Sequence, residues 1–320
     1  MTEIKKVAFV GAGLIGTGIG VNCVIHGVPV VLQTRKQVER TQKSMEDGVK
    51  FFVDNGVITE EEGKKALELV TVTTSIEEAV KDADFIQESG PENLEIKREL
   101  LKTIEAYAPT TALIATSSSG LRISDIFAEA EHPERCMSGH PYHPAYLLPL
   151  VEIIKAPGCT QENAQKAADF YKYIGKEPVI LKKEVIGYVA NKFQDAVLRE
   201  VANLVCEDVI SVEDVDKALL YSVGIRWGVM GQGLCLHMGC APEGVSIMAK
   251  KYAGGVGKPS IRLQNLAKFD TYPLEWYGLL EKGIDEELAN RPEEQGKDIP
   301  SIEVWRDKAL LDILRIHGKI

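Results

Sequence analysis

The sequence predicts an α/β domain built on a doubly wound parallel sheet, followed by an all-α domain. Short apolar, β-branched segments alternate with helical segments up to about residue 184, and this alternation is typical of a parallel sheet covered by helices on both faces. After Gly187, long amphipathic helical patterns follow one another without strand-like runs between them. We therefore place the two domains at residues 1–184 and 185–320.

The first elements follow one another through short connections. The apolar run VAFVG and a glycine turn precede a helical pattern that starts at Leu14, and the strand-like VPVVLQ follows it. Thr59 and Glu62 have the spacing of a capping box that opens a further helix. Pro91 is expected at the first position of a helix over residues 91–106.

The remaining segments of the first domain continue the alternation. Helices are expected over residues 36–54 and over residues 160–173, where Thr160 is the expected cap. The strand-like segments that complete the set are VTVTTS, residues 84–88, TALIATS and PVILKK. In the second domain, AGGVGKPS at residues 253–260 is typical of a loop.

The glycine turn has the spacing GxGxxG, from Gly11 through Gly13, Leu14 and Ile15 to Gly16. Between a strand and a helix, this pattern is typical of a Rossmann-type dinucleotide-binding fold. Gly11 permits the tight turn, Gly13 lets the backbone approach a pyrophosphate, and Gly16 lets the helix pack closely on the strand. We therefore expect these five positions to bind the cofactor; a glycine turn without a ligand is the less favoured alternative.

The end of the second strand favours NADP over NAD, with NAD still possible. A site for NAD usually has an acidic residue there that bonds the ribose 2′-hydroxyl, whereas this chain has Gln33-Thr34-Arg35-Lys36. Thr34 does not repel a 2′-phosphate, and the guanidinium of Arg35 offers donors suited to one. A solvated basic turn is the alternative.

Bulk charge and the spacing of histidines exclude several kinds of partner. The net charge of -10 argues against nucleic acid or an anionic membrane surface. No apolar stretch is long enough for a bilayer span and no signal-peptide cleavage site is evident, so we expect a soluble cytoplasmic protein. His140 and His143 are each followed by proline, which disfavours a helical pair of zinc ligands; no metal site is expected.

Five segments in order resemble the 3-hydroxyacyl-CoA dehydrogenase superfamily. They are GAGLIG, FIQESGPENLEIK, TSSSGL, GHPYHPAYLLPLVEI and GYVANKF. YLLPLVE, YSVGIRWGVMG and VWRDKALLDIL are most similar to the branch that contains L-carnitine dehydrogenase and L-gulonate 3-dehydrogenase (lambda-crystallin). The resemblance implies an oxidoreductase that transfers a hydride between a nicotinamide cofactor and a secondary alcohol at the 3-position of an acid or thioester.

The resemblance also implies four catalytic residues. His140, in GHP, matches the general base that takes the hydroxyl proton, and Glu152, in LVEI, matches the carboxylate that orients its ring. Ser119, in SSSG, matches the serine that hydrogen-bonds the substrate oxygen, and Asn191, in YVANKF, matches the asparagine of the helical domain. Ser119 as a turn residue and Asn191 as a helix-surface residue are the alternatives.

Three further positions are expected at the cofactor. Glu92 and Lys97, in PENLEIK, match residues that line the cofactor cleft, with an ordinary helical pair as the alternative. His143 stands where the family pattern has asparagine on the nicotinamide side of the site. Two alternatives remain open for His143: it keeps the hydrogen-bonding role of that asparagine, or it adds a second titratable group to the site.

Arg226 is the expected substrate residue of the helical domain. It lies in Gly-Ile-Arg-Trp, similar to a G-x-R-aromatic run of the carnitine and gulonate branch. Arginine binds a carboxylate bidentately, so Arg226 favours a small free 3-hydroxy acid; a structural ion pair is the alternative.

The competing functions are a short-chain 3-hydroxyacyl-CoA dehydrogenase and a non-catalytic dinucleotide-binding or structural protein. Surplus apolar positions in the helical domain indicate a homodimer.

Overall fold

A computed structural model describes residues 4–242 and 265–320 of the chain. The chain divides into two compact units, Met1–Val189 and Ala190–Ile320. The loop predicted at residues 253–260 lies outside the described residues.

A parallel sheet forms the centre of the first unit. Within the described part of the chain it has six strands in the order β3-β2-β1-β4-β5-β6, and every neighbouring pair is parallel. The strands β1, β2, β4 and β5 are buried along their whole length, as expected for strands covered on both faces. The strands are β1 (Val7–Val10), β2 (Val30–Gln33), β3 (Val70–Thr73), β4 (Phe85–Glu88), β5 (Leu113–Thr116) and β6 (Cys136–Ser138).

Four helices of the first unit begin directly after a residue whose side chain caps them. Thr59 and Glu62 form the predicted reciprocal capping box, and Thr160 accepts a hydrogen bond from the Asn163 amide, so both predicted caps are confirmed. The helices are α1 (Leu14–Ile25), α2 (Val38–Asp54), α3 (Glu60–Glu68), α4 (Ile76–Val80), α5 (Leu94–Tyr107), α6 (Ile123–Ile126) and α7 (Gln161–Tyr173).

The start predicted for helix α5 was wrong. Pro91 was expected at the first helical position, but Asn93 is the N-cap, with its side-chain oxygen accepting from the Ile96 amide at 3.0 Å. An asparagine cap satisfies an amide that the first turn leaves without a partner, and this interaction decides the start of the helix. Residues 91–93 therefore remain as a loop at the end of β4.

A small second sheet carries the residues of greatest chemical interest. It has the order β7-β8-β9, formed by β7 (His140–Pro141), β8 (Leu150–Ile153) and β9 (Glu177–Ile180). β7 and β8 are antiparallel, and their register pairs His140 directly with Glu152. Side chains at directly paired positions lie on the same face of a sheet. The register of β7 and β8 thus places Glu152 beside His140.

In the second unit the regular secondary structure of the described residues is helical. A core of six buried residues joins α8, α9 and α12: Val201, Ala202, Val205, Val212, Val215 and Trp276. The helices are α8 (Val189–Cys206), whose first residue belongs to the first unit, α9 (Val212–Ala218), α10 (Ile225–Val229), α11 (Gln232–Gly239), α12 (Trp276–Asn290) and α13 (Ile299–Ile316). A π-helix, Leu219–Gly224, connects α9 to α10. Among the described helices, none combines the length and the apolar character that a bilayer span requires.

Candidate active site

The predicted site residues of the first unit gather at one edge of the large sheet. Gly11 follows β1, Glu92 follows β4, Ser119 follows β5, and His140 follows β6. The carboxyl ends of parallel strands meet at the same edge, and ligands of doubly wound sheets bind where the strand order reverses. In this sheet that point lies between β1 and β4.

The glycine turn has the shape that a dinucleotide needs. Gly11 has a φ of +96°, and a Cβ there would lie 2.7 Å from the Ser89 carbonyl carbon. A Cβ on Gly16 would lie 2.7 Å from the Gly11 carbonyl oxygen, whereas a Cβ on Gly13 would meet no described atom within 4 Å. A pyrophosphate fits the space in front of Gly13. It also fits the N-terminus of α1, where no side chain of the described residues caps the helix.

The neighbouring turn after β2 presents cations instead of a carboxylate. Thr34 is buried, and its amide donates to the Thr73 carbonyl at 3.0 Å. Arg35 and Lys36 are exposed. The turn is therefore anchored by its first residue and leaves two positive side chains accessible.

His140 is a buried imidazole held between two tyrosines. Its ring stacks on Tyr188, with ring centroids 4.1 Å apart and planes inclined by 11°, and it meets Tyr142 edge-on at 4.8 Å. Burial lowers the pKa of His140 from 6.5 to about 4, against the opposing charges of Glu152 and Glu92. At neutral pH the imidazole is consequently uncharged and able to accept a proton.

Glu152 is anchored by groups other than His140. Its Oε1 accepts from the Val189 amide at 3.0 Å, and its Oε2 accepts from the Tyr142 hydroxyl. The Nδ1 atom of His140 is buried and has no hydrogen-bond partner among the described residues. In this structure Glu152 therefore acts on His140 through its charge.

Glu92 holds the turn that contains Ser119. Its Oε1 accepts from the Ser118 hydroxyl at 2.7 Å and from the amides of Ser119, Gly120 and Leu121 at 3.1, 2.7 and 3.2 Å. Burial raises the pKa of Glu92, but the hydrogen bonds from Ser118, Gly120 and Leu121 and the charge of Lys97 together leave the pKa below its usual value. Ser119 itself is exposed at the edge of the sheet.

Lys97 is buried beneath this turn. Its ammonium donates to both carboxylate oxygens of Glu88 at 3.1 and 2.9 Å and lies 3.7 Å from Glu92 Oε2. Glu88 also accepts from the Thr116 hydroxyl at 2.6 Å. Lys97 thus connects two carboxylates behind the cleft, and Glu88 is a member of the site that sequence reasoning missed.

The other predicted residues lie in the connection between β7 and β8 or in the second unit. His143 is exposed in the connection between β7 and β8. Asn191 is half-buried in the first turn of α8, and Arg226 is exposed on α10, where it forms no ion pair with any residue of 4–242 or 265–320. Within the same ranges, no cluster of His, Cys, Asp or Glu could hold a metal ion.

Tyr142 and Tyr188 are the contacts of His140 that the sequence did not reveal as such. Tyr142 lies within HPYHP, between the two histidines. Tyr188 follows Gly187 in a turn, where no periodicity indicates burial. The only sequence signal for either was its position next to a motif residue.

The glycine turn and the uncharged imidazole at the carboxyl edge of a doubly wound sheet define a dinucleotide-dependent oxidoreductase. Two family models match the chain: 3-hydroxyacyl-CoA dehydrogenase, NAD binding domain, over residues 6–185, and 3-hydroxyacyl-CoA dehydrogenase, C-terminal domain, over residues 187–273. The chain belongs to the 3-hydroxyacyl-CoA dehydrogenase family. It is a nicotinamide-dependent dehydrogenase that acts on a CH–OH group.

Similar proteins agree with this assignment. The chain is 36% identical to L-carnitine dehydrogenase of Oceanobacillus iheyensis over 82% of its own length and 84% of that protein. It is 34% identical to L-carnitine dehydrogenase of Pseudomonas putida over 98% and 94% of the two chains.

Two solved structures have the same fold. 3-Hydroxybutyryl-CoA dehydrogenase of Escherichia coli matches with a TM-score of 0.64 and 26% identity, over 68% of this chain and 46% of that chain. A 5-formyl-3-hydroxy-2-methylpyridine 4-carboxylic acid 5-dehydrogenase matches with a TM-score of 0.80 over 98% and 99% of the two chains. At 24% identity, the second structure supports the fold alone.

Proposed function

We propose that the protein oxidises the 3-hydroxyl group of a small free 3-hydroxy acid, carnitine-like or gulonate-like, with NADP favoured over NAD. The observation that carries the proposal is the buried, uncharged imidazole of His140 beside the carboxylate of Glu152. Oxidation removes a hydride from C3 and a proton from the hydroxyl group, so the reaction needs a base without a proton of its own. A bound nicotinamide supplies the hydride acceptor.

Residues of the chain take up the proton and bind the polar atoms of the substrate and cofactor. His140 takes the hydroxyl proton, and the negative charge of Glu152 then stabilises the imidazolium. Ser119 holds the reacting oxygen from a turn that Glu92 fixes through four donors. Asn191 completes the polar set, and the exposed Arg35 binds the cofactor ribose phosphate. Gly11, Gly13, Leu14, Ile15 and Gly16 bind the pyrophosphate. Glu92 and Lys97 line the cofactor cleft, and His143 belongs to its nicotinamide side.

Arg226 supports a free acid as substrate. Its guanidinium is exposed and makes no ion pair with a described residue, so it is accessible to a substrate carboxylate. The curated relatives named L-carnitine dehydrogenase support the same substrate class. A 3-hydroxyacyl-CoA thioester has no carboxylate at this position, and it is the alternative substrate.

A steady-state screen tests the substrate and the cofactor. Purified protein is mixed with 3-hydroxy acids, including L-carnitine and L-gulonate, and with 3-hydroxybutyryl-CoA, each with NAD or NADP, and reduced cofactor is followed by absorbance. We expect turnover of a free acid and a higher kcat/KM with NADP. Preference for the thioester would overturn the substrate proposal, a strong preference for NAD would overturn the cofactor proposal, and no turnover of any alcohol would favour a non-catalytic protein.

Variants of Arg226 separate its proposed role from a general charge effect. Arg226→Met should raise KM for the free acid by at least about tenfold, because a bidentate charged contact is lost. Arg315→Met, which removes a cation from an exposed position on α13, is the matched control and should leave KM unchanged. An unchanged KM in Arg226→Met would remove this residue from the substrate site.

The helical unit supports assembly as a homodimer. Large apolar side chains are more than half exposed on its described helices and connections, among them Phe193, Tyr221, Leu234, Met238, Leu274 and Tyr277. Burial of such surface against a second copy is favourable. Light scattering after size-exclusion chromatography should give about twice the chain mass of 35.2 kDa, and a monomer at micromolar concentration would contradict the proposal.

A further inference from the structure

The turn that precedes helix α8 has an unusual backbone. Gly187 has a φ of +77° and Tyr188 a φ of +54°. The left-handed conformation is common for glycine but unfavourable for a tyrosine, and it persists where surrounding contacts enforce it. Tyr188 is 1% exposed, although Ile186 is 52% and Val189 is 39% exposed. The turn therefore inserts one aromatic side chain into the first unit from an otherwise accessible segment.

Tyr188 and the residue after it contact three parts of the proposed active site. The Tyr188 ring stacks on His140, and its hydroxyl donates to the Ser118 carbonyl at 2.9 Å. Burial raises the pKa of Tyr188, so the phenol keeps the proton with which it donates. The amide of the next residue, Val189, donates to Glu152 Oε1 at 3.0 Å. One dipeptide thus contacts the base, its carboxylate and the serine turn.

The stacking contact orients the His140 ring in place of a hydrogen bond at Nδ1. A catalytic imidazole is usually oriented by a hydrogen bond to one ring nitrogen, but Nδ1 of His140 has no such partner in the described structure. A parallel ring at 4.1 Å on one face and the edge contact with Tyr142 restrict tilting of the imidazole instead. An aromatic residue that only filled the core would need neither the parallel stack nor the phenol hydrogen bond.

We propose that Tyr188 is a positioning residue that fixes the plane of the His140 imidazole and holds the Ser118–Ser119 turn at a set distance from it. The inference rests on the proposed role of His140 as the base. The two functions of Tyr188 are separable, because the ring performs the first and the hydroxyl performs the second. Phenylalanine would keep the stack and lose the bond to Ser118, whereas leucine would lose both.

Three variants test the proposal against a simple packing role. In Tyr188→Phe we expect kcat for the acid found in the substrate screen to fall about tenfold, with the pH profile of kcat/KM unmoved. In Tyr188→Leu we expect a fall of about a hundredfold and a displacement of the acid limb of that profile by at least about half a pH unit, because the imidazolium loses its π face. Tyr173→Phe, which removes a similar phenol-to-carbonyl bond elsewhere, should behave as the unmodified protein.

NMR signals of the His140 ring report on the stacking contact without any need for turnover. The proton signals of His140, assigned with His140→Ala, should carry a ring-current shift that Tyr188→Phe retains and Tyr188→Leu loses. Normal kcat in Tyr188→Phe, or an unmoved acid limb in a folded Tyr188→Leu, would overturn the positioning role. Full activity in His140→Ala would instead overturn the proposed base, and the ring-current shift would still show whether the stack exists, so the two failures are distinguishable.

Discussion

Acid should destabilise this fold through His140. Burial lowers the pKa of His140 from 6.5 to about 4, so between these values the unfolded chain binds a proton that the folded chain does not. Stability is therefore unaffected by this group above pH 6.5 and falls as the pH decreases toward 4. A pKa lowered from 6.5 to about 4 corresponds to about 3.5 kcal/mol of unfolding free energy, at about 1.4 kcal/mol per pKa unit. About 3 kcal/mol of this is lost by pH 4, where half of the folded imidazole is protonated.

Urea unfolding of a matched pair of variants measures how much His140 contributes to the pH dependence of the unfolding free energy. His140→Gln cannot titrate, so its stability deficit relative to the unmodified protein should shrink by about 2.5 kcal/mol between pH 7 and pH 4.5. His143→Gln, three residues away at an exposed position, is the control and should run parallel to the unmodified protein. A stability deficit of His140→Gln that stays constant across this range would refute the conclusion that the imidazole is desolvated.

The remaining predictions concern the supports of the site. Gly13→Ala should weaken dinucleotide binding at least about tenfold without lowering Tm, because the added Cβ meets no described atom and occupies only the space of the phosphates. Fluorescence titration measures the affinity and thermal unfolding measures Tm; an unchanged affinity would contradict the prediction. Tyr142→Phe removes one of the two hydrogen bonds to Glu152 and should cost about 1–3 kcal/mol of unfolding free energy; no loss in urea unfolding would show that water replaces the phenol. Lys176 is buried, donates to the Ala145 and Leu148 carbonyls, and has its pKa lowered by burial from 10.5 to about 7. The unmodified protein should therefore gain stability relative to Lys176→Met as the pH rises from 7 to 10, and parallel curves would rule out a buried amine.

Local patterns predicted much of the fold. Side-chain caps at Thr59 and Thr160 depend on residues only three positions apart, and the buried strands are runs of apolar residues, so both are visible in the sequence. The proximity of His140 and Glu152 was also predictable, since proline disfavours a helix and the following apolar run favours a strand. The start of α5 was not, because Pro91 and Asn93 both suit a helix start and only the hydrogen bond to Ile96 decides between them.

The contacts that tune the site depend on tertiary packing and could not be predicted. Besides Glu92, Lys97 pairs with Glu88, which lies nine residues earlier at the end of a strand and which the spacing did not indicate. Tyr188 meets His140 across 48 positions of sequence, and only the left-handed turn directs its ring inward. Periodicity describes which face of an element is buried, but it contains no information about which distant side chain is buried against it.

The hairpin of β7 and β8 explains how one site can combine a weakly basic imidazole with a nearby anion. Cross-strand pairing fixes the distance between His140 and Glu152 through the backbone, so no hydrogen bond between the side chains is needed to keep them close. The Tyr142 hydroxyl and the Val189 amide satisfy the carboxylate of Glu152 in the resting state. Its negative charge therefore remains in place, and it acts fully when the imidazole takes up a proton. Since burial and this charge have opposite effects on the pKa of His140, replacement of Glu152 by glutamine should lower that pKa further. The proposed base would then take up the proton less readily and kcat of alcohol oxidation should fall; an unchanged kcat in steady-state assays of Glu152→Gln would contradict this reasoning.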